Sequence, residues 1–289
     1  ARFGLAVSGG PDSLALLLLA QASLPHVLAA TVDHGLRPAG AQEAGFVASI
    51  CSTLGVPHET LVLGAPDKGN ISDWARRERY AALTDWAARN HIDFLMTAHH
   101  ADDQLETMIM RLNRGSGVAG LSGIRARRGS MIRPLLGWQK RELEALCQDC
   151  CVTPVDDPSN RDDRFDRARL RKALVDAPWL DRHAAVRSAA ALAQAEEALD
   201  WTARRLAGDR IAAQPDAITL APEDVPHELL RRLVILAMQH VSPDASPRGD
   251  DLERLIAALN AGRVATLAGV KCSGGTLWRF SPAPPHRKI

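Results

Sequence analysis

At 289 residues the chain exceeds an ordinary domain of about 100–200 residues, so two domains are expected, and 46% hydrophobic with 24% charged residues is the composition of a globular protein with a sizeable core. No apolar run approaches the ~18 residues of a membrane span, no signal-peptide pattern is visible, and five cysteines without a repeating framework exclude a disulfide scaffold and favour a reducing cytoplasm. Thirty-five basic against 34 acidic side chains leave a net charge of +1, so any contact with a polyanion has to come from a local cluster.

The chain opens directly into an apolar strand, residues 3–7, and native residues are expected before Ala1. A leucine-rich helix over residues 14–22 follows, and Ser8-Gly9-Gly10-Pro11-Asp12-Ser13 joins the two. Adjacent glycines permit positive φ and close approach of an anion to the main chain, while the N–H groups of the first helical turn are unpaired, so this turn is a phosphate cradle. It is neither a Walker A loop nor a dinucleotide fingerprint, since it lacks G-x-x-x-x-G-K-[ST] and G-x-G-x-x-G. S-G-G-x-D-S resembles the signature of the PP-loop ATP pyrophosphatases, which cleave ATP between its α- and β-phosphates. The bland alternative is a strand-to-helix turn capped by Asp12 or Ser13.

Short apolar runs at residues 27–33, 58–63 and 94–97 alternate with helical patterns at 42–54 and 72–90, which predicts βαβ units in an α/β, doubly wound, mostly parallel sheet. Asp33-His34-Gly35-Leu36-Arg37 ends the second strand on the same rim as the glycine turn, where open α/β sheets bind ligands. Thr97-Ala98-His99-His100-Ala101-Asp102-Asp103-Gln104-Leu105-Glu106-Thr107 ends the fourth strand and opens a helix over 102–112, on which Asp103 and Glu106 share a face. A Gly-rich loop at 114–123, a basic surface loop with Arg125, Arg127 and Arg128, and a strand at 131–136 follow.

Asp156-Asp157-Pro158-Ser159-Asn160 leads into residues 161–172, whose five arginines and one lysine against three aspartates make the densest basic segment in the chain. A long Ala-rich amphipathic helix at 192–206 links to a strand at 217–220, helices at 227–240 and 250–261, and a hairpin of residues 268–272 and 276–280 around Gly274-Gly275. The expected division is a catalytic domain over residues 1–185 and a linker helix with a smaller, mainly helical α+β domain over 186–289.

S-G-G-P-D-S, D-H-G-L-R, R-R-E-R-Y at residues 76–80, H-H-A-D-D-Q-L-E-T, R-G-S-G-V-A-G-L-S-G at 114–123, R-P-L-L at 133–136 and D-D-P-S-N together resemble the bacterial tRNA(Ile)-lysidine synthases. The resemblance implies adenylation by ATP of the C2 oxygen of the wobble cytidine (position 34) in tRNA(Ile) with a CAU anticodon. The lysine side-chain amine then displaces AMP. It further implies ATP held by Ser8, Gly9, Gly10, Pro11, Asp12 and Ser13; catalytic roles for Asp12, Asp33 and His99; and Mg²⁺ near Asp33. Free lysine would be held by Arg79, Asp103 and Glu106, because two ammonium groups and one carboxylate call for two acids and one arginine. Arg167, Arg169 and Arg171 would meet tRNA phosphates. Here R-A-R-L-R at residues 167–171 replaces the R-N-R-I-R expected of the family, which places only a polar contact from Ala168 in question. The partners expected are this tRNA, lysine and ATP, with no membrane and a homodimer left open; the extra C-terminal domain of longer relatives is expected to be missing after Ile289.

Two other enzyme readings compete. Cys147-Gln148-Asp149-Cys150 suggests tRNA thiolation by a related PP-loop enzyme, although C-x-x-C at the end of a predicted helix with no second pair is a weak cluster signal. Asp33, His34, His99, His100, Asp102 and Asp103 suggest a metal-dependent phosphohydrolase. A non-catalytic nucleotide-sensing or tRNA-binding module would bind ATP without turnover.

Overall fold

The computed structural model describes residues 1–35, 39–64, 71–155 and 166–284. Leu36, Arg37, the D-D-P-S-N motif and residues 161–165 of the basic segment lie outside the described residues. The chain divides into two compact units, Ala1–Ala193 and Gln194–Ile289.

The first unit is built on β1 (Phe3–Ala6), β2 (Val27–Asp33), β3 (His58–Val62), β4 (Phe94–Met96), β5 (Arg127–Arg128) and β6 (Met131–Ile132), in the spatial order β3-β2-β1-β4-β6-β5. All neighbours are parallel except β5 against β6. Successive residues of β1 face opposite sides, and both sides are covered, which is why its sequence is apolar throughout rather than alternating. Leu5 enters a core with Leu14 and Leu17 of α1 (Pro11–Ser23), Val47 of α2 (Ala39–Thr53) and Leu143 of α6 (Lys140–Asp149). Ala6 enters the other, with Leu83 and Trp86 of α3 (Ile71–Arg89). This is the doubly wound architecture expected from the alternation of strands and helices.

Several elements differ from the sequence reading. The strand expected at 131–136 stops at Ile132, and the basic residues Arg127 and Arg128, read as loop, form the antiparallel edge strand β5 that closes the sheet. Such a charged edge discourages pairing with another sheet. The Gly-rich loop contains a helical turn, α5 (Val118–Leu121), after α4 (Ala101–Leu112). The end of that loop is tied to α4 by Gln104, whose side chain accepts from the Ile124 N–H at 2.6 Å and donates to the Ile124 carbonyl at 3.2 Å. The described part of the basic segment is helical, α7 (Asp166–Val175), and the linker helix is longer than its apolar pattern, α8 (Arg182–Arg210).

The second unit carries a five-stranded antiparallel sheet, β7 (Ile211–Ala213), β8 (Ile218–Leu220), β9 (Val264–Leu267), β10 (Val270–Ser273) and β11 (Trp278–Pro282), in the order β7-β8-β11-β10-β9. Its core joins Leu220, Val270, Trp278 and Phe280 to Leu233 and Met238 of α9 (His227–Val241) and Leu255 of α10 (Gly249–Asn260). The Gly274-Gly275 hairpin forms between β10 and β11. A second hairpin, β9 to β10, turns through Ala268 at φ 49° and Gly269 at φ 76°. Two successive positive φ values make this the mirror-image turn that matches strand twist, a conformation Gly269 adopts freely and Ala268 does not advertise.

Candidate active site

The strand order reverses at β1, with β2 on one side and β4 on the other, so the connections leaving these strands border a crevice at their carboxyl ends. The glycine turn after β1, Asp33 at the end of β2 and the H-H-A-D-D motif after β4 emerge there. In the first, Gly9 takes φ +88°, Gly10 caps α1 and Pro11 sits in its first turn, where a missing N–H costs nothing. Ser13 Oγ accepts from the Ser8 N–H at 3.0 Å and donates to the Gly10 carbonyl at 3.0 Å, closing the turn on itself. Val155 N–H donates to the Gly9 carbonyl at 2.9 Å, pinning the turn from a segment about 145 residues away, a support that no local pattern announces.

Two adjoining cavities open on this turn. One, of about 580 Å³, is lined by Ser8, Gly10, Asp12, Asp33, Arg79 and Arg171 among others. The second, of about 450 Å³, shares Ser8, Gly10, Asp12 and Arg79 and adds Ser13, His99, Asp103 and Arg167. Asp33 accepts from the Gly35 N–H at 2.9 Å and so is oriented by its own turn. Asp12 Oδ1 is buried with no hydrogen-bond partner among the described residues. No hydrogen-bond or ion-pair acceptor among them meets the guanidinium of Arg79, whose pKa burial lowers.

The two histidines behave oppositely. Burial drives His99 down to about 4, the nearby Arg133, Arg79 and Arg76 adding to the effect of burial against the opposing field of Asp103; Thr97 Oγ1 stands 3.0 Å from its Nδ1. His99 is therefore a neutral imidazole on the cavity wall. His100 is buried, which alone would lower its pKa, yet Asp102, Asp12 and Asp103 together push it up to about 10. Its Nε2 lies 3.5 Å from Asp12 Oδ2 and 3.5 Å from Asp103 Oδ2, and its Nδ1 3.6 Å from Asp102 Oδ2, separations of ion pairs at the edge of hydrogen-bond reach. Asp102 is also buried enough to be raised, but His100, the Lys140 N–H at 2.8 Å and Arg182 at 2.7 Å hold its carboxyl well below the usual range.

Asp103 and Glu106 do share a face of α4, and that face meets α7. Arg171 Nε donates to Glu106 Oε1 at 2.6 Å and its Nη2 to Asp103 Oδ1 at 3.3 Å, while Arg167 Nε lies 3.3 Å from Glu106 Oε2. Glu106 is raised by burial and partly restored by Arg171. Two of the three arginines read as tRNA contacts thus sit on the two acids read as a lysine pocket; the third, Arg169, pairs with the exposed Asp166 at 2.5 Å. The sequence offered only charge density here, because the partners lie 65 and 68 residues apart.

The competing site readings lose their geometry. Cys147 is buried, its thiol pushed up to about 11 by burial and donating to the Pro11 carbonyl at 3.4 Å, whereas Cys150 is exposed. One sulfur of the pair is thus committed to a backbone carbonyl in the core and the other stands at the surface. Among the described residues no three His, Cys, Asp or Glu side chains converge as a metal-ligand set, and His100 commits both ring nitrogens to carboxylates.

Comparison with known proteins identifies the family. Residues 1–177 match the family model described as the PP-loop domain. The tRNA(Ile)-lysidine synthase of Novosphingobium aromaticivorans is 46% identical over 99% of this chain and 90% of its own length, and that of Zymomonas mobilis 42% identical over 99% and 90%. Among solved structures, the U34-tRNA thiolase NcsA from Methanococcus maripaludis with its [4Fe-4S] cluster superposes with a TM-score of 0.55 over 66% of this chain and 72% of that one, at 19% identity, a likeness of fold.

Proposed function

We propose, from the premise that this chain belongs to the tRNA(Ile)-lysidine synthase family of PP-loop proteins, that it joins lysine to C2 of the wobble cytidine of a tRNA(Ile) with a CAU anticodon at the expense of ATP. In the first step the cytidine C2 oxygen attacks the α-phosphorus and pyrophosphate leaves. In the second the lysine ε-amine attacks C2, the C2–oxygen bond breaks, AMP departs and an amine proton is lost. The observation that carries the reading is that one pair of adjoining cavities holds the glycine cradle, Asp12, Asp33 and Arg79, which meets no acceptor among the described residues, together with Asp103.

The cradle's N–H groups and the α1 N-terminus would receive the departing pyrophosphate. Asp12 and Asp33 fit a divalent cation, Asp12 by an orphaned buried oxygen and Asp33 by its place on the same cavity wall. Mg²⁺ bound there would neutralise phosphate charge that a Walker lysine neutralises elsewhere. Arg79, free of other acceptors among the described residues, suits the lysine carboxylate, and Asp103, on the wall of the second cavity, suits one ammonium group; Glu106 is assigned to the other, although it lines neither cavity and is held by Arg171 and Arg167. Neutral His99 can accept a hydrogen bond from the incoming cytidine or amine. Arg169, on the exposed side of α7, is assigned to the tRNA backbone together with Arg167 and Arg171, whose charge is shared with the acids of α4, and the second unit is assigned as a further tRNA-binding domain. Five free thiols suit a reducing cytoplasm, and no described helix is long and apolar enough to cross a membrane.

The test is AMP and pyrophosphate release from ATP with lysine and an unmodified tRNA(Ile) bearing CAU. AMP release should require both lysine and tRNA. ATP-independent phosphodiester cleavage, or sulfur incorporation into tRNA, would replace this reading with one of its competitors.

A further inference from the structure

The H-H pair of the α4 motif contributes two residues with different surroundings, and only His99 reaches the cavities. His100 closes the start of α4: its N–H donates to Asp103 Oδ2 at 3.3 Å and its carbonyl accepts from Gln104 N–H at 3.1 Å. Its ring points at three carboxylates. Asp102, the first, is already held by Arg182 and the Lys140 N–H. Asp103, the second, gives its other oxygen to Arg171. For Asp12, the third, His100 is the one ion-pair partner among the described residues, and the remaining oxygen is orphaned.

Asp12 belongs to the phosphate turn on α1, and Asp103 to α4. Their Oδ2 atoms stand at equal distances from a single nitrogen, so two like charges are kept close by one ring between them. Without that ring the carboxylates would repel each other and swing apart, or one would take up a proton. A histidine that merely filled a core would have no reason to be ringed by acids.

We propose that His100 is a positioning residue that fixes the Asp12 carboxylate of the phosphate turn against the Asp103 carboxylate of α4, so that the ATP cradle and the lysine pocket hold one shared geometry. The inference rests on the lysidine-synthase reading of the site, since it is that reading which makes Asp12 an ATP residue and Asp103 a lysine residue. It implies that the two substrates are aligned through a side chain that touches neither.

The experiment measures KM for ATP, lysine and tRNA, and equilibrium binding of ATP and lysine, for the full chain and for His100→Gln and His100→Asn, with circular dichroism on each. KM for ATP and for lysine should both rise, roughly tenfold, the effect of one lost charge-assisted hydrogen bond, while KM for tRNA stays in place. On an Asp103→Asn background, His100→Gln should change lysine binding less than twofold, and on an Asp12→Asn background it should change ATP binding equally little. If the His100 variants do not fold, the coupling is read from the other side: Asp103→Asn should weaken ATP binding and Asp12→Asn should weaken lysine binding, each across the ring. Unchanged ATP and lysine KM values in a folded His100 variant, full multiplication of effects in the cycles, or absence of both cross-effects overturns the inference. A wild-type protein that forms no AMP with lysine and tRNA overturns the lysidine-synthase reading instead.

Discussion

Asp12 faces His100 with one oxygen and has no partner for the other among the described residues, so a substitution there has separable effects on chemistry and on fold. Asp12→Ala should abolish AMP release while circular dichroism stays native, because the carboxylate is one-third exposed and its loss opens no core cavity. Wild-type turnover by a folded variant would remove the turn from the mechanism. Asp103→Asn and Glu106→Gln should raise the lysine requirement far more than the ATP requirement, by about 1.5–3 kcal/mol for each charge-assisted hydrogen bond lost. An unchanged lysine requirement with impaired ATP binding would reassign both acids to the nucleotide or its metal. Acidity shifts at this scale also govern stability. His100, lifted from 6.5 to about 10 in the fold, stabilises fully below pH 6.5 and ever less as the pH climbs through 10. Asp102 is depressed below 3.8, so its contribution is present above that value and is lost as the pH falls through its folded pKa. The melting-temperature gap between wild type and His100→Gln should therefore narrow from pH 6.5 to 10, and a constant gap would refute the shift. The residues of the glycine turn and the α4 motif were legible in the sequence because each motif is contiguous and a strand-end position aims it. The opposite protonation of neighbouring His99 and His100 was not, since it depends on Arg79 and Arg133 around one ring and Asp12 around the other.

Among the elements, α7 separates two roles that its sequence merges. Arg169 is exposed and pairs with exposed Asp166, whereas Arg171 reaches into the acids of α4. Arg169→Ala should weaken tRNA binding and flatten its salt dependence by about one unit of log-log slope. Arg171→Ala should add a fall in melting temperature, because buried Glu106 loses its strongest counter-charge. An unaltered tRNA salt slope in Arg169→Ala would mean that these arginines brace the fold and leave the tRNA to other residues. The central strands and long helices followed from apolar runs and helical periodicity. Strand β5 and the β9–β10 hairpin escaped because two arginines read as surface loop and Ala268-Gly269 lacks the asparagine or aspartate that marks such turns.

Across the whole molecule, the two units have separate apolar cores, those of the first on both faces of the parallel sheet and that of the second around Trp278 and Phe280. Phe280→Ala should cost the second unit about 3–5 kcal/mol and lower its thermal transition, with ATP binding to the first unit retained. Loss of ATP binding in step with that transition would show the first unit to depend on the second. Of the antiparallel sheet in the second unit, the strand at 217–220 and the hairpin around Gly274-Gly275 were readable from the sequence, whereas β7 and β9 were not, because both are short and neither alternates polar with apolar residues. The parallel sheet has one more consequence, for the order in which the chain acquires its shape during synthesis. Strand β1 sits at the centre and must wait for β4, which follows it by some ninety residues, as the Arg2–Asp93 bond across 91 positions marks. At a ribosomal pace of about 5–20 residues per second that is a delay of several seconds or more, during which the future active-site turn hangs from an apolar edge with no partner. A chain built this way calls on holding chaperones early, and slowing translation within β2 to α3 should increase its aggregation rather than relieve it.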